Sequence, residues 1–234
     1  VAMKDDRIET DVTFETLETT FRSLLSMVPA VFLQDFDGLE TSGSLALNGY
    51  AKGAYVAADS LFPDIGLTLT VKDGMFKYPD LPKSVTDVNI ETKVAVVGDD
   101  LDKTTVDLSR FELKLGDNPF KAGMQVSTPI SDPTVKGYLD GQIDLSTLAD
   151  AVPMDSLDLS GRIETDVRVE GSMSMYEEER YDDFILDGLV HLEAIEVEMA
   201  GMPGILLHQA DLTFSPKEVL LKDFEVQAGE RSEE

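Results

Sequence analysis

Two histidines, His191 and His208, and three clustered aspartates, Asp99, Asp100 and Asp102, are the residue types here that could serve a metal or acid–base centre, if their spacing allowed it. The histidines stand 17 residues apart, with no second ligand at metal spacing and no nucleophile elbow nearby. Each therefore reads as a plain surface or edge residue. The aspartates fall between two strand-like runs and lack the glycine and distal glutamate of an EF-hand loop, which makes them a solvated turn. Glycoside hydrolysis needs a carboxylate pair, and 46 acidic residues supply many candidates, but nothing singles out one pair and no tryptophan is present to stack on a sugar ring. No glycine-rich phosphate loop occurs, and the absence of cysteine removes thiol catalysis, disulfides and Cys-ligated metals together. The expectation is a non-enzyme that needs neither cofactor nor metal.

What the chain repeats is not polar chemistry but an oily face. Leu67, Leu69 and Val71 alternate with polar or small residues, as do Val88, Ile90, Val94 and Val96, then Val106 and Leu108, Val167 and Val169, Val197, and finally Leu212 and Phe214. Period-two alternation of this kind is the mark of strands with one apolar and one wet face. These residues are the candidate walls of an apolar groove. Taken singly, each is better explained as ordinary core, because periodicity does not distinguish a filled core from a lined one. Asp87, Asn89, Glu91 and Lys93 show the opposite parity and read as a solvated sheet face.

The elements that position this face recur in order. Leu39, Ser42, Gly43, Leu45 and Gly53 return as Leu157, Ser160, Gly161, Ile163 and Gly171; Phe21, Leu24, Val28 and Pro29 return as Leu145, Leu148, Val152 and Pro153. Val106, Leu108, Phe111, Glu112, Leu113 and Gly116 return as Val219, Leu221, Phe224, Glu225, Val226 and Gly229. The offsets are 124, 118 and 113 residues, so loops have drifted while the blocks held. Such self-similarity marks an array in which each unit packs on the next, and so long a period requires several strands per unit. The division is residues 1–20 as the end of a preceding unit, 21–144 as the first unit and 145–234 as the second, truncated at its end, all in one continuous β-groove domain. Helix is confined to two short stretches, around Phe21, Leu24, Leu25 and Val28, and around Leu145, Leu148 and Val152, each stopped by a proline. The apolar phase slips by one between Leu108 and Phe111, and again between Leu221 and Phe224, which implies a bulge or tight turn. Turn chemistry is assigned to Asp73 and Gly74, Pro79 to Pro82, Gly116 to Pro119, Pro129 to Pro133 and Gly201 to Gly204.

Composition narrows the function. An apolar content of 42% argues against disorder, and a net charge of −27 excludes binding to a phosphate backbone as a main activity, so no nucleic-acid partner is expected. No continuous apolar run reaches the roughly 18 residues of a membrane span. The chain opens at Val1, without an initiator methionine, and reads as an excised piece whose targeting or anchoring segment lies outside it. Two helices of about two turns cannot roof a dozen strands, so the apolar face must be covered by a facing sheet, as in a sandwich, or by an equally oily guest.

The helix-to-proline block ending Leu148, Ala149, Asp150, Ala151, Val152 and Pro153 resembles the bacterial AsmA-like family. So do the Leu-x-x-Ser-Gly block, the Asp73-Gly74-Met75-Phe76-Lys77-Tyr78 segment running into Pro79 to Pro82, and the Phe111 to Phe120 strand, turn and strand. That family is similar to the translocation and assembly module and to other repeating β-groove lipid-transfer proteins. The resemblance implies a mostly β fold: an elongated, curved antiparallel sheet, taco-like, with a hydrophobic groove built from about two repeats and short helices. It further implies the periplasmic portion of a protein anchored in the inner membrane, and a role in moving phospholipid to the outer membrane or in outer-membrane assembly. The implied partners are phospholipid or another acyl-chain lipid, and envelope membrane proteins. At roughly 0.8 kcal/mol per methylene, an unshielded chain of about 16 carbons costs on the order of 12 kcal/mol to move through water. A trough with similar apolar walls in every unit abolishes most of that cost and sets no deep trap along the path. The alternative is a non-conductive structural or interaction module of the cell envelope, a β-sandwich with a dry interior. A carbohydrate-active enzyme, the third class, would need an exposed aromatic platform or a carboxylate pair in a cleft.

Overall fold

Among the described residues thirteen strands run in one sheet, and almost every one pairs with its neighbour in the chain. The computed structural model describes residues 2–4, 7–16, 19–20, 38–79, 81–152, 157–199, 204–215 and 217–228. The first strands are β1 (Ala2–Lys4), β2 (Arg7–Glu15), β3 (Thr19–Thr20) and β4 (Glu40–Val56). Next come β5 (Asp64–Lys77), β6 (Val85–Val96), β7 (Thr105–Leu115), β8 (Asn118–Ser127) and β9 (Thr134–Asp144). A helix α1 (Leu145–Ala149) precedes β10 (Leu157–Ser172), and a second, α2 (Met173–Glu177), precedes β11 (Ile185–Met199), β12 (Ile205–Ser215) and β13 (Glu218–Ala228). All pairings are antiparallel; β2 and β3 both lie on β4, and the sheet is curved and does not close. The mostly β, groove-like architecture expected from the alternation is therefore what the chain adopts.

The repeat in the sequence is a repeat of creases. Gly43 sits at φ 99° opposite Asp73 at φ 49°, and Gly161 at φ 106° opposite Ala194 at φ 48°. A Cβ on Gly43 would lie 2.6 Å from the Asp73 carbonyl oxygen, and one on Gly161 2.3 Å from that of Ala194, so only glycine fits either position. Register shifts accompany both, between Ser42 and Ser44 and between Ser160 and Arg162. Each crease then crosses the following strands. The first continues through Asp87, at φ 52°, and the Leu108 to Phe111 shift of β7; the second ends at Asp223, at φ 51°, in β13. A bulge adds a residue, bends its strand and raises the local twist, so a line of bulges folds the sheet along that line. The phase slips read from the sequence at Ser109–Arg110 and before Phe224 are the last strands of these two creases. Asp73 and Gly74, taken from their residue types as a turn, are instead the bulge inside β5, because the flanking alternation belongs to one strand.

Aromatic side chains fill the gaps left by glycines on neighbouring strands. Tyr50 lies over Gly66 and Tyr138 over Gly123, each directly across the ladder. The helix expected around Leu145 and Leu148 forms as α1, capped by the Asp144 carboxylate, which accepts from the Thr147 N–H at 2.9 Å. It folds onto the apolar face over β4 to β7, where Leu45, Val71, Val85, Val88, Leu115 and Ala151 form the buried core. Lys83 holds it there: its N–H donates to the Asp150 carbonyl, and its Nζ reaches Thr147 at 3.0 Å and the Asp150 carboxylate at 3.3 Å. The other expected helix, at Phe21 to Val28, lies outside the described residues, as do Pro153 and most of the Gly201–Gly204 turn.

Candidate functional site

Register places every candidate wall residue on one face. Leu67 stands opposite Val94, Val71 opposite Ile90, Gly74 opposite Val88, and Ile65 opposite Val96. Val94 faces Val106, and Thr92 faces Leu108. In the second unit Val167 pairs with Leu139 and Gly188, Val169 with Leu186, Leu159 with Val197, Val190 with Leu212, and Gly188 with Phe214. Because directly paired residues share a face, these form one continuous apolar surface from β4 to β13.

Among the described residues, only part of that surface is buried. Val71 and Val88 are buried, and Leu69 and Ile90 pack against the core under α1. Leu67, Val94, Val96, Val106, Leu108, Val167, Val169, Val197, Leu212 and Phe214 are half-buried. Residues that the alternation did not single out belong to the same face and are more open still: Phe14 is 42% exposed, Met124 42%, Ile205 49% and Phe224 59%. Met124 escaped notice because β8 carries glycine and alanine at neighbouring positions and shows no clean alternation. Val12 and Phe14 precede the repeated blocks, where no internal match drew attention to them.

The opposite face is polar. Two depressions open on it, of about 730 Å³ beside Tyr138 and Gly123 and about 470 Å³ beside Tyr50 and Gly66. Each follows from a tyrosine lying flat over a glycine. On the same face His191 and Asp211 stand opposite each other across β11 and β12, with the imidazole Nδ1 hydrogen-bonded to the carboxylate. That bond, aided by Glu164 and Glu193, raises His191 above the usual imidazole range; the same bond, aided by Gln209 and Lys222, lowers Asp211 below the usual carboxylate range. His191 is thus no plain surface or edge residue but half of a cross-strand ion pair within the sheet, invisible until the register is known. His208 is exposed on β12.

Along one end of the strands, carboxylates tie successive hairpin loops together. Asp64 accepts from the Gly98 N–H at 2.7 Å, joining the β4–β5 and β6–β7 loops. Asp102 accepts from Ile130 N–H at 3.1 Å, Ser131 N–H at 2.8 Å and Ser131 Oγ, reaching the β8–β9 loop. Asp132 accepts from Ser174 N–H at 2.7 Å and Oγ at 2.8 Å, reaching α2. These bonds hold Asp102 and Asp132 below the ordinary carboxylate range. The aspartate turn is accordingly more than solvated, since Asp102 is a strut and Asp100 bridges to Lys103 at 3.1 Å. No cluster of metal-type ligands occurs among the described residues, and no helix among them is long and apolar enough to cross a membrane.

No protein-family model, curated protein or solved structure matches this chain.

Proposed function

We propose that this chain is a lipid-shielding β-groove, a portion of a periplasmic AsmA-like protein that carries acyl chains toward the outer membrane or serves in outer-membrane assembly. The observation that carries this reading is the continuous apolar face, which among the described residues is buried over β4 to β7 and largely half-buried or open beyond them. A monomer surface seldom leaves so large an apolar patch without a partner. The described strands form one sheet, so no second sheet of their own closes that face into a dry sandwich. An acyl chain suits it because the lining is aliphatic and unspecific, with small interruptions such as Thr92 and Gly188 but no charge among the candidate walls. On this reading the partners are phospholipid or another acyl lipid and envelope membrane proteins.

Protein made in a bacterium and purified without detergent should carry phospholipid detectable by mass spectrometry. A photoactivatable acyl probe should label inner-face residues of β7 to β12, such as Leu108, Met124 and Val167. Substituting Leu108→Glu and Val167→Glu together should lower bound lipid several-fold while preserving the β-rich circular dichroism spectrum. Lipid-free protein, or labelling confined to the Tyr50 and Tyr138 face, would overturn the proposal.

A further inference from the structure

The hairpin between β10 and β11 carries an unusual combination: large apolar side chains turned to solvent within a ring of carboxylates. Met173 is 50% exposed, Tyr176 64% and Tyr181 52%, and on the adjoining β8–β9 loop Ile130 is 65% exposed. Nothing local explains this exposure by flexibility, since the hairpin is braced at several points. Met173 N–H donates to the Pro133 carbonyl, Asp132 binds Ser174 twice, and Arg180 bridges Glu178 at 2.7 Å and Asp183 at 3.1 Å. The two tyrosine rings meet edge to face with centroids 6.3 Å apart. Around them stand Glu177, Glu178, Glu179, Asp182 and Asp183, all exposed, against the single base Arg180.

The equivalent hairpin of the first unit, between β4 and β5, repeats the aromatic pair. Tyr55 and Phe62 are more than a third exposed, with ring centroids 5.7 Å apart. Exposed carboxylates flank this pair too: Asp64 follows Phe62 by two residues, and Asp99 follows Gly98, whose carbonyl accepts from the Phe62 N–H. Both hairpins follow the creased strand that bears the repeated Ser-Gly pair, and both project from the tied end of the sheet. A braced aromatic pair loses little freedom on binding, which is what makes such residues anchors at protein interfaces.

We propose that the β10–β11 hairpin is a docking surface for a protein partner that presents an apolar pocket rimmed by lysine and arginine. Charge complementarity selects this occupant. An anionic bilayer would be repelled by the carboxylates, and a second copy would bring the same acidic ring against itself. The assignment is independent of what the inner face carries, because the hairpin lies beyond the strand ends.

The test uses the whole chain and two fluorescent peptides of equal charge: an amphipathic leucine–lysine helix and a glycine–lysine peptide. Anisotropy is read at about 0.15 M salt, where distant charges are screened. The leucine–lysine peptide should bind more tightly. Substituting Tyr176→Ser and Tyr181→Ser together should weaken it about tenfold, a loss typical of anchor residues. Leu189→Ser, on the polar sheet face, should leave binding unchanged, and Glu177→Gln with Glu179→Gln should flatten its salt dependence. Thermal melts should show each variant folded, since every substituted side chain is exposed. Equal affinity for the two peptides, tyrosine substitutions without effect, or tyrosine-dependent binding to phosphatidylcholine–phosphatidylglycerol vesicles instead of the peptide would overturn the proposal.

Discussion

His191, with Asp211 on one side and Glu164 on the other, makes the stability of the sheet at β10 to β12 respond to pH from two directions. The folded imidazole titrates above its unfolded value, so its contribution is complete below about 6.5 and is lost as pH rises through the raised value. The Asp211 carboxyl titrates below its unfolded value, so its contribution is present above about 3.9 and is lost as pH falls through the lowered one. The urea midpoint of the protein should therefore exceed that of His191→Asn most clearly between about pH 4 and 6.5, and the gap should narrow on either side. An equal gap at pH 5 and pH 9 would contradict the pairing. At the creases, Gly161→Ala forces a Cβ against the Ala194 carbonyl at positive φ and should cost more than about 1 kcal/mol by denaturant titration; Gly204→Ala, with nothing closer than 3.7 Å, should cost less. Two of these features show why residue types alone go only so far. The slip before Phe111 was legible because apolar parity reverses within one strand, whereas the His191–Asp211 pair and the Ala194 bulge depend on which residue of another strand lies opposite.

Among the elements, α1 and the tied loops make different predictions. The helix, which ends at Ala149, short of the Val152 and Pro153 that the spacing assigned to it, was readable from Leu145 and Leu148. Its docking was not, because Lys83 and Val85, which receive it, lie about sixty residues earlier in the chain. Under this helix, Leu45→Ala or Leu115→Ala should cost about 2–5 kcal/mol, the range for truncating a buried leucine. Outside it, Leu221→Ala on β13, where the side chain is half open to solvent, should stay within about 0.5 kcal/mol in the same assay. Along the tied end, Asp102→Ala should speed amide exchange at Ile130 and Ser131, and Asp132→Ala at Ser174. Both carboxyls are lowered in the folded state, so their contribution is present above the unfolded value and is lost as pH falls through the folded one. Acid should loosen these loops before it loosens the strands.

At the scale of the molecule, strands with one wet and one apolar face, and too little helix to cover them, were legible in strict alternation. One sheet instead of a two-sheet sandwich was not, because alternation reads the same in both. Which way the sheet folds was not, since that follows from where the bulges line up across strands. The same construction bears on how the chain reaches its native state. Strand pairings join segments adjacent, or nearly adjacent, along the backbone, so ordering one hairpin closes only a short loop and supplies the template for the next. Folding can then begin at any hairpin and spread strand by strand, and lengthening the sheet by further hairpins would extend the time to completion without raising the first barrier.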